Sequence, residues 1–192
     1  MALTTKLEAV NIMISVIGES PVNTLSGTSV PVTVTQAVHA LDETSKAIQS
    51  EGWHFNTEYD YPLVPDASTS KITLPLNTLK VDLDPEIYTD SDPVQRGTTL
   101  YDRKNHRDTW TKNLKAIITF ELDFEELPEQ FRHYIAVKSA RIFAARFLGS
   151  REIEGFALRD EIEAKARAIE SDSENADRTI FDNYSVLRVL DR

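Results

Sequence analysis

The densest set of side chains that could do chemistry is acidic: Glu121, Asp123, Glu125, Glu126 and Glu129 follow one another in a short stretch. Two carboxylates flanking a glycosidic bond suffice for sugar hydrolysis. Alternation at 121, 123 and 125 would put three of them on one strand face, so a glycan hydrolase is one reading of this run. Acids are also favoured at the positive N-terminal end of a helix, and Glu126 and Glu129 sit where a helical period begins. The neighbouring aromatics, Phe120 and Phe124, read as core residues rather than as platforms for stacking sugars. A solvated strand end leading into an acidic helix start accounts for the whole run.

Other chemistries lack their residues. With no cysteine, disulfides, thiolate nucleophiles and zinc–sulfur sites are excluded. His39, His54, His106 and His133 are too far apart to form a metal motif of the HExxH kind. No serine lies in a G-x-S-x-G elbow. The six glycines are dispersed, so no loop is built to cradle a phosphate. The expectation is a protein without catalytic residues, cofactor or metal. Net charge of −10 argues against gripping nucleic acid, which needs surplus Lys and Arg. An acidic surface suits solubility, or a wall that DNA slides past without sticking.

One segment runs against that charge. Between Tyr101 and Lys115, the cations Arg103, Lys104, Arg107, Lys112 and Lys115 face only Asp102 and Asp108, with Trp110 among them. Trp and Arg are favoured interface anchors, so Arg103, Lys104, Arg107, Trp110 and Lys112 form a candidate docking loop. The alternative is a Trp that folds back onto its own sheet.

These groups need elements to position them. Leu3, Leu7, Val10, Ile14 and Ile17 recur at helical spacing, with Thr5 and Glu8 at capping-box distance and Gly18 and Pro21 as stops. A second helix starts near Pro31, presents Val34, Val38, Leu41 and Ile48 with Ser45 interrupting, and closes at Gly52. From Trp53 the period becomes two, through Phe55, Thr57, Tyr59, Tyr61 and Leu63, as in a half-buried strand. Further strands are expected at 71–74, 78–83, 94–101 and 115–122, separated by proline and glycine punctuation. A helical period returns after Pro128, with one stripe of Phe131, Tyr134, Ile135, Ile142 and Ala145 and a second of Ala136, Ala140, Phe143 and Phe147. That helix is therefore packed on two sides; Gly149 ends it and Ser150 caps the next. Its cations Arg132, Lys138, Arg141 and Arg146 face no acid within the helix and could pair with the glutamates of the following helix, inside the same subunit or across to a neighbouring one. There Leu158, Ile162, Ala166 and Ile169 are expected to face inward. An apolar tail, Ile180, Phe181, Tyr184, Val186, Leu187, Val189 and Leu190, would be awkward on a surface without a partner; the alternative is that it packs on its own bundle. The fold class is α+β: a bundle of about four helices (1–52 and 125–175) with an inserted antiparallel β domain (53–124) and a C-terminal tail (176–192). No segment is apolar enough to cross a membrane, and the first residues do not read as a signal peptide, so the expected compartment is cytoplasm-like.

Laid out in order, IGESPVNTL, IQSEGWHFN, VQRGTTLYDR and ELPEQFRHYIAVKSARIFAARFLG resemble blocks of the tail tubular protein A family, the head-to-tail adaptor of short-tailed bacteriophages. They keep that family's order and spacing over residues 12–149. The resemblance implies a structural virion protein, assembled in the host cytoplasm, that forms a dodecameric ring between the portal protein and a tail nozzle protein. DNA would pass through its channel without specific binding. The helical part resembles the portal-facing end, and the β domain resembles the nozzle-facing end. Arg103, Lys104, Arg107, Trp110 and Lys112 would then lie on the nozzle side. Ile180, Phe181, Tyr184, Leu187 and Leu190 are candidates for portal or neighbour contact. The family has no motif that assigns catalytic residues. In a phage tail, the alternative reading of the acidic run is a hydrolase acting on host capsular polysaccharide.

Overall fold

The structure, a computed structural model, describes residues 3–27, 30–148 and 151–176. In chain order it contains α1 (Lys6–Val16), α2 (Val32–Gln49), β1 (Thr57–Leu63), β2 (Thr78–Leu83), β3 (Pro93–Arg96), β4 (Thr99–Asp102), β5 (Leu114–Phe120), α3 (Glu129–Leu148) and α4 (Arg151–Asn175). Short 3-10 turns at His54–Asn56 and Phe124–Glu126 lead into β1 and α3. The fold is α+β: among the described residues there are four helices, with antiparallel sheets placed between the second and third of them in the chain. The chain divides into two compact units: residues up to Ser45 together with those from Asp123, and Lys46–Leu122. The expected caps at Gly149 and Ser150 and the apolar tail lie outside the described residues.

In the helical unit, α1 starts at the predicted capping box. Thr5 Oγ1 accepts from the Glu8 amide at 3.2 Å, and Glu8 returns an acceptor to the Thr5 amide at 2.8 Å. It ends at Gly18, whose φ of +83° lets the amides of Gly18 and Glu19 reach back to Ser15 and Ile14. The buried face is Ala9, Val10, Met13 and Ile14, so the stripe is rotated from the predicted one. Leu3 precedes the cap and is exposed, while Ala9 and Met13 take inner positions that the stripe omitted. On α2 the inner face is Val34, Ala37, Ala40 and Leu41, with Ser45 also buried.

Helix α3 packs against both α1 and α4. Of its two predicted stripes Phe131, Tyr134, Ile135, Ala136, Ala140 and Phe143 are buried, Ile142 is half-buried, and Ala145 and Phe147 are exposed near the end, Phe147 lying against Phe143. Its four cations do four different things. Arg132 is buried and donates to the carbonyls of Leu127, Thr4 and Glu125, tying the chain before α1 to the chain before α3. Arg141 pairs with Glu161 of α4, as expected. Arg146 reaches Glu43 of α2 at 3.4 Å, and Lys138 lies over the ring of Tyr134. Helix α4 turns a different face inward from the one predicted. Ala164, Ala168 and Asp172 are buried, whereas Leu158, Ile162, Ala166 and Ile169 are exposed. Small side chains at 164 and 168 let α4 approach α3 closely, and the larger apolar ones are left outside.

In the β unit, β1, β5 and β2 form an antiparallel sheet with β5 in the centre, and β3 and β4 form a separate antiparallel pair. Leu63, Ile72, Leu100, Trp110, Ile118 and Phe120 belong to the shared core. Three expected strands change. The alternation from Trp53 becomes a strand only at Thr57, and it breaks where Asp60 adopts φ +57° and the register shifts between Glu58 and Tyr61. Residues 71–74 are held by single bridges, Lys71 to Thr109 and Thr73 to Thr99, rather than by a ladder. Residues 94–101 fold back on themselves as β3 and β4, because Gly97 at φ +61° supplies a turn that side-chain-bearing residues resist.

Two buried amides close this unit where the chain enters and leaves it. Gln49 donates to the Leu122 carbonyl at 3.0 Å and accepts from the Leu122 amide at 2.8 Å. Asn56 donates to the carbonyls of Gln49 and Phe120 at 2.9 and 2.8 Å and accepts from the Trp53 amide at 2.9 Å. Replacing Gln49 by Leu leaves the polar groups of Leu122 without this partner. The expected cost is ~2–3 kcal/mol, read as a lower midpoint in urea with an unchanged slope. A midpoint equal to that of the wild type would show that Gln49 is not the fastening.

Candidate interaction surface

The basic loop between β4 and β5 is organised by a carboxylate. Asp102 is fully buried, and its Oδ1 accepts from the amides of Asp92, Lys104 and Asn105 at 3.1–3.2 Å. Its Oδ2 accepts from the Asn105 side chain at 2.7 Å and lies 3.7 Å from Arg107. Burial works to raise its pKa, but the hydrogen bonds from Asn105 and the Asp92 amide, with the charge of Arg107, hold it below the ordinary aspartate value. The segment before β3 is fastened to this loop in turn. Arg103 pairs with Asp92 at 2.7 Å, Lys104 Nζ donates to the Thr89 carbonyl at 2.8 Å, and Asn105 donates to the Asp90 carbonyl at 2.8 Å.

Of the five residues predicted to dock, Trp110 occupies a different place. It is 5% exposed, belongs to the β core, and its indole N–H donates to the Leu100 carbonyl at 3.0 Å. The Trp folds back on its own sheet because burial of its ring and satisfaction of its N–H are available together there. Arg103 and Lys104 are exposed but engaged with the 89–92 segment. Arg107 and Lys112 line an open groove of about 440 Å³ together with Ile87, Tyr88, Asp90 and Leu114, with Trp110 among the lining residues. The sequence missed residues 87–91 as part of this surface, since nothing local marks a loop that is positioned by side chains arriving from 103–105.

The acidic run is taken up by structure. Glu121 pairs with Lys46 at 2.9 Å. Glu125 accepts from the Lys6 amide at 3.3 Å, and Glu126 accepts from the Asp123 amide at 3.1 Å. Glu129, at the start of α3, accepts from both the amide and the hydroxyl of Thr4. Phe120 and Phe124 are buried, as a core reading requires. Among the described residues, no group of acids and histidines is arranged to hold a metal ion, and no helix is long and apolar enough to cross a membrane.

A second carboxylate, Asp66, organises the turn before residue 71. Hydrogen bonds from Ser68 and Thr69 lower its pKa to about 2. Both Asp66 and Asp102 have folded-state pKa values below their unfolded ones. Their stabilisation is therefore complete above the ordinary aspartate range near pH ~4 and is lost as pH falls through the depressed values. Asp102→Asn leaves only a neutral, weaker acceptor for the three backbone amides at Oδ1 and places an amide donor against the Asn105 side chain and Arg107 at Oδ2. The expected outcome is a loss of ~1–3 kcal/mol, faster hydrogen exchange at the amides of Lys104 and Asn105, and a stability that falls less steeply in acid. Unaltered exchange at those amides would remove Asp102 from this role.

The comparisons with known proteins meet this structure at one point. No curated protein matches the chain. The family described as tail tubular protein matches it over residues 7–178, which takes in all nine major elements apart from the first residue of α1. The chain belongs to the tail tubular protein family, structural proteins of the bacteriophage tail.

Proposed function

We propose that this protein is the head-to-tail adaptor: a ring-forming subunit that joins the portal to the tail nozzle and lines the channel through which DNA leaves. The observation that carries this reading is the family match over residues 7–178. Three physical features agree with it. The net charge of −10 suits a channel that DNA passes without adhering. Leu158, Ile162 and Ile169 leave a line of large apolar side chains exposed along α4, which a neighbouring copy would cover. Of the acidic run, Glu121, Glu125, Glu126 and Glu129 are engaged in capping and pairing within the fold rather than left free for sugar hydrolysis.

In this reading the helical unit faces the portal and the β unit faces the nozzle. Ile180, Phe181, Tyr184, Leu187 and Leu190 contact the portal or the next subunit, on the strength of their apolar composition after a charged stretch. The ring has twelve copies, assembles in the host cytoplasm, and ends in the virion.

Mixing the purified protein with portal rings should give a stoichiometric collar visible by electron microscopy; bare portal rings at saturating protein would overturn the adaptor role. Leu158→Asp combined with Ile162→Asp should leave the thermal midpoint within a few degrees, since both side chains are exposed, and should abolish the collar. Collars of normal appearance would show that α4 does not face a neighbour. Removing residues 180–192 should weaken collar formation, and undiminished collars would free the tail of that role.

A further inference from the structure

We infer that the groove on the β unit is a binding site for an acidic peptide segment of a partner protein, one that carries a carboxylate beside an apolar side chain. The inference rests on the adaptor reading only for the partner's identity, the nozzle. The chemistry of the groove stands on the fold alone.

The basic loop has cations of two kinds. Arg103 and Lys104, with Asn105, are spent on fastening residues 89–92, so one side of the groove is held in place before any partner arrives. That segment is also turned on itself, with the Ile87 and Tyr88 amides donating to the Asp84 carbonyl, and the Tyr88 hydroxyl accepts from the Lys115 amide at 2.9 Å. A fastened wall lowers the ordering cost that a flexible loop would bring to binding.

Arg107 and Lys112 fasten nothing in that wall, and both line the groove. Arg107 is half exposed, and its nearest acid, Asp102, lies at 3.7 Å, beyond hydrogen-bond reach and already saturated by other donors. Lys112 is exposed and has no ion pair among the described residues. Asp90 contributes one negative charge to the same lining, so the groove keeps one net positive charge in a chain of −10. The remainder of the lining is mixed: Ile87, 64% exposed, supplies most of the apolar surface, with Tyr88 and the small exposed parts of Leu114 and Trp110 beside it, and Thr89, Ser91 and Thr111 add hydroxyls. Cations beside the exposed apolar surface of Ile87 select a carboxylate next to an apolar side chain. Nucleic acid fits poorly, because Asp90 and the acidic chain would repel a run of phosphates.

The test is an NMR titration of the full chain with the pentapeptide acetyl-Asp-Phe-Asp-Leu-Asp-amide and with its neutral counterpart, acetyl-Asn-Phe-Asn-Leu-Asn-amide. The acidic peptide should shift the amides of residues 87–91 and 107–114 at millimolar concentration. The neutral one should bind at least ~5-fold more weakly, and Lys112→Gln should weaken the acidic peptide by ~3-fold or more without disturbing the rest of the spectrum. No shift at those residues, or equal affinity for the two peptides, overturns the inference. Peptide binding without portal collars would fault the adaptor reading alone, and collars without peptide binding would fault only this one.

Discussion

The β unit depends on a constraint set by two neutral side chains. A segment inserted into a helical chain must bring its ends together before its strands can pair, and closing that loop costs entropy. Gln49 and Asn56 supply the closure by matching amide donors and acceptors to the main chain at Leu122, Phe120 and Trp53. Both are almost wholly buried, so each bond forms where the alternative is an unsatisfied polar group. The antiparallel sheet follows from this pinning. With the start of β1 and the end of β5 held together, Thr57 falls opposite Thr119, and β2 adds on the other edge of β5. The core behind the sheet then has a fixed register to fill.

The loops of this molecule are held by buried charged side chains. In the β unit, buried Asp102 gathers three backbone amides, and the cations beside it reach out to a second segment. What looks in sequence like a basic patch is largely internal wiring, with only part of its charge left to face outward. In the helical unit the same economy appears at Arg132, whose guanidinium serves three carbonyls rather than a carboxylate. A buried cation of this kind fixes geometry by directionality rather than by Coulomb attraction to a counter-ion.

The helices and the strands β2 and β5 were legible because periodicity and punctuation are local. The Thr5–Glu8 box, the stop at Gly18 and the double stripe of α3 all appear as their residue types require. The inward face of α4 was not legible. Leu158, Ile162 and Ile169 make the stronger apolar pattern, but the contact with α3 takes Ala164 and Ala168, where small size matters more than hydropathy. The basic loop was half legible. Its charges were visible, but which of them are consumed depends on Thr89, Asp90 and Asp92, distant partners that no spacing rule connects to 103–105. Gln49 was invisible as a fastening, since a glutamine in a helix reads as surface until its partner strand is in place.

One detail of β1 has a bearing on how copies of this protein can stand side by side. The strand is an edge of its sheet, and an unbroken edge is a template onto which another molecule can add a strand. Asp60, turned to φ +57°, interrupts the row of outward amides and carbonyls midway and shifts the pairing of everything after it. Crowded copies can therefore meet through side chains, where geometry limits their number, while the open-ended addition of backbone to backbone that leads to fibres has no continuous edge on this strand to start from.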